Sequence, residues 1–107
     1  MEINDSELKD KIENGEKVIV DFWAKFCGPC KVMKPVFDKI SQEYSDNNHD
    51  VQLYTMDVEE NREFAVSLGI RAVPTIKGFS NNKEVFSQPG AKDEKQIKDI
   101  IELVVNG

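Results

Sequence analysis

Positive charge, histidine, cysteine and long apolar runs are all scarce in this chain of 107 residues. Lys and Arg total 14 against 20 Asp and Glu, a formal charge of −6. A phosphate backbone or an anionic lipid surface needs a basic face, so neither a nucleic acid nor a membrane is an expected partner. No apolar run approaches the roughly 20 residues of a membrane span. Residues 1–5 are acidic and carry neither the basic nor the apolar region of a secretory signal, so the expected location is the cytoplasm. The single histidine, His49, lies in a polar stretch with no partner at ligand spacing and reads as an exposed loop residue. The two cysteines are too few for a secreted disulfide framework or a four-ligand zinc site, so no bound metal is expected.

The length suits one domain spanning residues 1–107, and a chain of this size buries about two-thirds of its unfolded surface. Residues 6–14 read as a helix, with Asp5 or Ser6 as cap and Gly15 as stop. Residues 17–22 read as a buried strand. A long helix follows over about 28–44, with Val32, Val36, Phe37, Ile40 and Tyr44 on one face. Residues 51–58 contain a second strand, and 59–68 a helix stopped by Gly69. Strands over 75–79 and 84–87 join through Asn81-Asn82, a hairpin signal. Residues 93–105 close the chain as a helix, with Ile97, Ile100, Ile101, Val104 and Val105 as its buried stripe. The order α-β-α-β-α-β-β-α points to an α/β fold whose sheet is covered on both faces, with antiparallel pairing at one end.

The cysteines form a Cys27-Gly28-Pro29-Cys30 tetrapeptide between the first strong strand and the following helix. Two thiols at this spacing, without further ligands, suit thiol–disulfide exchange. The carboxyl end of a strand in an open α/β sheet is where ligand sites concentrate. Cys27 falls at or near the N-cap, where unpaired N–H groups favour thiolate over thiol. Cys30 shares its helix face and lies within disulfide reach. Cys27 is therefore expected to attack a substrate disulfide and Cys30 to resolve the mixed disulfide. Pro29 sits in the first turn, where a missing N–H costs nothing, and Gly28 permits close approach of a partner chain.

Asp21 interrupts the apolar run Val18-Ile19-Val20 and Phe22-Trp23. Burial there would raise its pKa and poise it to exchange a proton with Cys30. Alternation along the strand fits an exposed Asp equally well. Pro74 precedes a strand, where an ordinary trans proline is the general expectation.

Taken together, these residues resemble the thioredoxin family closely. The likeness rests on Val20-Asp21-Phe22-Trp23-Ala24, Cys27-Gly28-Pro29-Cys30-Lys31, Pro35, Gly69-Ile70-Arg71 with Val73-Pro74-Thr75, and Gly90-Ala91. It runs from about residue 5 to residue 105. The resemblance implies the thioredoxin fold, a central mixed sheet of four to five strands flanked by four helices. It implies a cis Val73–Pro74 peptide lying against the sulfurs, which makes Pro74 a catalytic-site residue. It implies that the backbone of Val73 pairs with an extended substrate segment. The implied docking surface comprises Phe26, Gly28, Pro29, Val73, Pro74, Gly90 and Ala91, with Trp23 beneath the active-site loop. Asp21 matches the family's buried proton-exchange carboxylate. The resemblance implies no prosthetic group; a monomer is the default expectation, with weak dimerisation through an exposed apolar patch as the alternative. Its implied partners are a flavin-dependent thioredoxin reductase fed by NADPH and disulfide-containing protein substrates.

The chain departs from the family pattern in several places. Phe26 stands where a Trp usually precedes the first Cys. Leu53 is read as standing where many bacterial relatives carry a Lys near the buried Asp. Lys77-Gly78 replace apolar strand residues, and Gly78 should weaken that strand or mark a bulge. Pro89 replaces a usual apolar residue. The N-terminus is about five residues short, which would leave the first edge strand vestigial. Within the fold, Gly28-Pro29 matches the reducing members rather than oxidases, isomerases or glutaredoxin-like proteins. A redox-silent scaffold is the remaining reading from a different class.

Overall fold

The computed structural model describes residues 1–46 and 50–106. His49 lies outside the described residues. Eight elements follow in order: α1 (Asp5–Glu13), β1 (Lys17–Trp23), α2 (Gly28–Asp46), β2 (Val51–Asp57), α3 (Arg62–Ser67), β3 (Thr75–Ser80), β4 (Lys83–Pro89) and α4 (Glu94–Asn106). The sheet order is β2-β1-β3-β4, with β1 parallel to β2 and the other neighbours antiparallel. This is the mixed four-stranded sheet with four helices that the sequence leads one to expect.

β1 is buried along almost its whole length because both faces of the sheet are covered. Its alternate residues divide between two cores. Ile19 packs with Met33, Phe37 and Ile40 of α2 and with Ile97, Ile101 and Val104 of α4. Val18, Val20 and Phe22 pack on the other side with Leu8 of α1, and with Tyr54, Met56 and Phe79. Met33 and Met56 are core residues.

Several local features differ from expectation. Val32 is 76% exposed, because the buried stripe of α2 runs through Cys30, Met33, Phe37 and Ile40. Once the helix begins at Gly28, Val32 falls two residues from Cys30 and so on the opposite side. Val105 is only half-buried. α1 is capped by Asn4, not by Asp5 or Ser6: Asn4 Oδ1 accepts from Glu7 N at 2.9 Å, and Glu7 Oε1 accepts from Asn4 N at 3.1 Å. α3 starts three residues later than expected. The Asp57 carboxylate accepts from Glu59 N at 2.8 Å, holding a turn where the helix would otherwise begin.

The β3–β4 hairpin turns on Asn81 and Asn82, with φ of 54° and 65°. These positive values suit the tight turn that matches strand twist. The pairing register shifts between Gly78 and Phe79, the irregularity expected at that glycine. Gly78 also lets α4 approach the sheet, since a Cβ there would collide with Val104 Cγ2. Lys77 is buried and pairs with Glu84 and with Ser87 Oγ, the latter at 3.1 Å. Outside the sheet's four strands, an isolated parallel bridge joins Glu2 to Thr55.

Candidate redox site

β1 ends at Trp23, and a short loop carries the chain to the head of α2. Cys27 N donates to Ala24 O at 3.2 Å, closing that loop. The Cys27 carbonyl accepts from Lys31 N at 3.3 Å, the first bond of the helix. Its sulfur accepts from Cys30 N at 3.1 Å. Cys27 therefore caps α2 with its own sulfur, in the place where Ser or Asp oxygens usually serve. That N–H, at the positive end of the helix dipole, faces any negative charge that develops on the sulfur. Here Cys27 and Cys30 form a disulfide with a Cα–Cα separation of 5.2 Å. Cys27 is 9% exposed and Cys30 3%, so Cys27 is the outer of the two.

Asp21 is buried, on the face that β1 turns toward α2. With Cys30 it lines a cavity of about 90 Å³, closed also by Trp23, Lys34 and Thr55. Among the described residues its Oδ1 has no hydrogen-bond partner. Burial pushes the Asp21 carboxyl up to about 7, against a smaller opposing pull from Lys34 and with support from Asp38 and Glu2. The open choice between a buried and an exposed Asp21 thus resolves as buried.

The strand register shows what stands beside Asp21 on β2. Asp21 pairs with Thr55, whereas Leu53 pairs with Ile19 and belongs to the core on α2 and α4. Thr55 is the register partner of the buried carboxyl's residue, and Leu53 follows two positions away on the same face of β2, where it brings no charge. The cation that acts on Asp21 comes from another element: Lys34, one turn after Cys30, borders the cavity and pairs with Asp38 at 2.8 Å. Glu2 closes the arrangement from the N-terminus. Its carboxylate accepts from Trp23 Nε1 at 3.1 Å, Thr55 Oγ1 at 2.6 Å and Asp57 N at 2.9 Å. Lys34 could have been found from its i, i+4 relation to Cys30. Thr55 needed the register, and Glu2 has no sequence signal.

The remaining expected residues gather at the same end of the sheet. Phe22 at the end of β1 pairs with Thr75 at the start of β3, and Thr75 pairs with Pro89 at the end of β4. The Val73–Pro74 peptide is cis. Pro74 O accepts from Gly90 N at 2.8 Å, tying the two loops together, and Gly90 adopts a φ of 98° that favours glycine. Phe26 is 90% exposed. Gly28, Pro29, Gly90 and Ala91 are also exposed, Val73 is half-buried, and Pro74 is buried. Trp23 is half-buried and lines the cavity together with Cys30.

The arrangement is suited to two-electron exchange between a dithiol and a disulfide, and comparison with known proteins agrees. The thioredoxin family profile matches residues 1–103. The thioredoxin of Rickettsia typhi is 36% identical over 100 residues, covering 92% of each chain. A chloroplastic M-type thioredoxin of Chlamydomonas reinhardtii is 37% identical over 105 residues, covering 97% of this chain and 73% of that one. The solved structure of Plasmodium falciparum thioredoxin superposes with a TM-score of 0.80 at 32% identity, covering 92% of each chain. With its cysteine pair at disulfide distance at the head of α2, this chain belongs to the thioredoxin family of thiol–disulfide oxidoreductases.

Proposed function

We propose that the chain reduces disulfides in other proteins, with Cys27 as nucleophile and Cys30 as resolving thiol. The carrying observation is that Cys27 Sγ sits at the N-terminus of α2, accepting Cys30 N–H, while Cys30 borders the cavity that holds Asp21. The Cys27 thiolate attacks one sulfur of a substrate disulfide, forming a mixed disulfide and expelling a substrate thiolate. Cys30 gives its proton to the Asp21 carboxylate and attacks Cys27 Sγ. The mixed disulfide breaks, the second substrate thiolate leaves, and Cys27–Cys30 closes. Two electrons have passed from the chain to the substrate. A cavity of about 90 Å³ has room for a water to relay the proton between Cys30 and Asp21.

Phe26, Gly28, Pro29, Val73, Gly90 and Ala91 form the docking surface in this reading, with the Val73 backbone pairing to the substrate segment and Pro74 shaping the approach to the sulfurs. Re-reduction falls to an NADPH-fed, flavin-dependent thioredoxin reductase, in a reducing compartment such as the cytoplasm. Among the described residues no helix is long and apolar enough to cross a membrane.

The test is trapping. Cys30→Ser should accumulate a mixed disulfide between Cys27 and a substrate protein, releasable by dithiothreitol, and Cys27→Ser should not. Accumulation on Cys30 instead would reverse the assigned roles. The reduction potential of the pair gives the direction of exchange. A value near −270 mV, the reference for thioredoxins, fits a reductase, and one above about −200 mV would favour an oxidase or isomerase.

A further inference from the structure

A second groove, of about 240 Å³, adjoins the Pro74 loop. Its lining includes Glu59, Arg62, Val66, Ile70, Arg71 and Val73, two cations against one carboxylate. Arg62 and Arg71 are the only arginines in the sequence. Both are exposed. Among the described residues every ion pair uses a lysine, and neither guanidinium has an ion-pair or side-chain hydrogen-bond partner. In a chain of net charge −6, two unpaired guanidinium groups on one groove are a local reversal of sign. Arginine presents a planar fork of donors that matches a carboxylate, which lysine does not. Val66, 68% exposed, supplies an apolar wall beside that charge.

We propose that this groove docks an acidic residue of the protein segment whose disulfide is being exchanged, so that the chain prefers disulfides flanked by carboxylates. The inference rests on the reductase reading above and deepens it. Val73 lines the groove and is also the residue whose backbone pairs with the segment, so the two contacts are continuous. Successive residues of an extended segment advance by about 3.3 Å, so a segment paired with Val73 presents a side chain a few positions from its cysteine to the same groove. An apolar neighbour beside it lies against Val66 and Ile70. The opposite preference, for basic segments, would suit the rest of the acidic surface but not this groove.

The test uses disulfide peptides that differ only in Glu or Gln three residues before or after the cysteine, with dithiothreitol regenerating the enzyme. An uncharged small disulfide, 2-hydroxyethyl disulfide, serves as reference substrate. The Glu peptide of one of the two placements should show about fivefold higher kcat/KM at low ionic strength, as expected for a well-formed exposed ion pair of about 1 kcal/mol. That ratio should approach one in 0.5 M NaCl and in the R62Q/R71Q double variant. Equal rates for Glu and Gln peptides would overturn the docking assignment while leaving the reductase reading in place. A Glu preference that survives in the double variant would move the acidic subsite elsewhere. Failure of the unmodified protein to reduce even the small disulfide would overturn the reductase reading itself.

Discussion

The indole N–H of Trp23 donates to the carboxylate of Glu2 at 3.1 Å, joining the N-terminal segment to the wall of the redox cavity. The same carboxylate takes Thr55 Oγ1 and Asp57 N, while Ile3 N and Thr55 N bond to backbone carbonyls across the bridge. One side chain thus fastens three points around Asp21. Replacing it leaves the Thr55 hydroxyl and the Asp57 N–H without that acceptor. Glu2→Ala should cost about 1–2 kcal/mol, the usual range when hydrogen bonds to a charged group are lost at a partly solvated site. Trp23 is the only tryptophan, so its emission follows both unfolding in urea and the loss of its own hydrogen bond. An unchanged midpoint and an unchanged spectrum would show that Glu2 is not fastened in solution.

Asp21 makes stability depend on pH in a direction opposite to that of a paired carboxylate. Its folded value is about 7, against 3.8 when unfolded. Between those values the folded state keeps a proton that the unfolded chain has lost, so unfolding becomes easier as pH rises from about 4 to 7 and levels off above. At 1.36 kcal/mol per pH unit the penalty reaches up to about 4 kcal/mol in the charged form. Asp21→Asn removes the titration. The variant should be more stable than the parent at pH 8.5, with the advantage shrinking toward pH 5, when both are unfolded in urea as the disulfide form. Equal midpoints at both pH values would mean that the carboxyl is solvated. The reduced variant should also resolve mixed disulfides more slowly, because Cys30 loses its proton acceptor.

The cysteine pair, its strand-to-helix setting and the order of elements were legible because each depends on residues close in sequence. The features that were misread, left open or missed depend on where an element begins or on residues far apart. Val32 and Met33 are both apolar neighbours on α2, and only the position of the helix start decides which faces the core. Leu53 and Thr55 lie on the same face of β2, and the crossover between β1 and β2 leaves their register free of any local turn signal. Asp21 shares a face with Ile19, but that face is covered by α2 and α4, which alternation alone does not reveal. Glu2 acts through contacts 21 to 55 residues away and leaves no periodic trace.

Gly78 is fixed by the helix that crosses it. Gly78→Ala places a methyl group against Val104 Cγ2, a buried side chain of α4, and the hairpin is already irregular at that point. The expected cost is about 1–3 kcal/mol, as for other overpacked cores. Val104→Ala opens the space the new methyl needs. In a double-mutant cycle the pair should therefore be more stable than the sum of the two single losses, by about 1 kcal/mol. Strict additivity would show that the helix moves aside at no cost.

Lys77 and Glu84 pair across the β3–β4 hairpin, and the two ends of the pair differ in burial: the Lys77 side chain is 5% exposed and the Glu84 side chain 41%. Removing either partner is therefore not equivalent. Glu84→Ala leaves a buried ammonium with Ser87 Oγ as its remaining side-chain partner. Stranding a buried charge costs about 3–5 kcal/mol when the site is fully enclosed, and the solvent access at Glu84 reduces that here to about 1–2 kcal/mol. Lys77→Met removes the charge and keeps an unbranched apolar chain on the face it shares with Phe79, so its stability should stay within about 1 kcal/mol of the parent. Thermal or urea unfolding of the two variants decides the matter. The expected order is Lys77→Met above Glu84→Ala. The reverse order would mean that the ion pair contributes net stability, and that the lysine reaches water when its partner is removed.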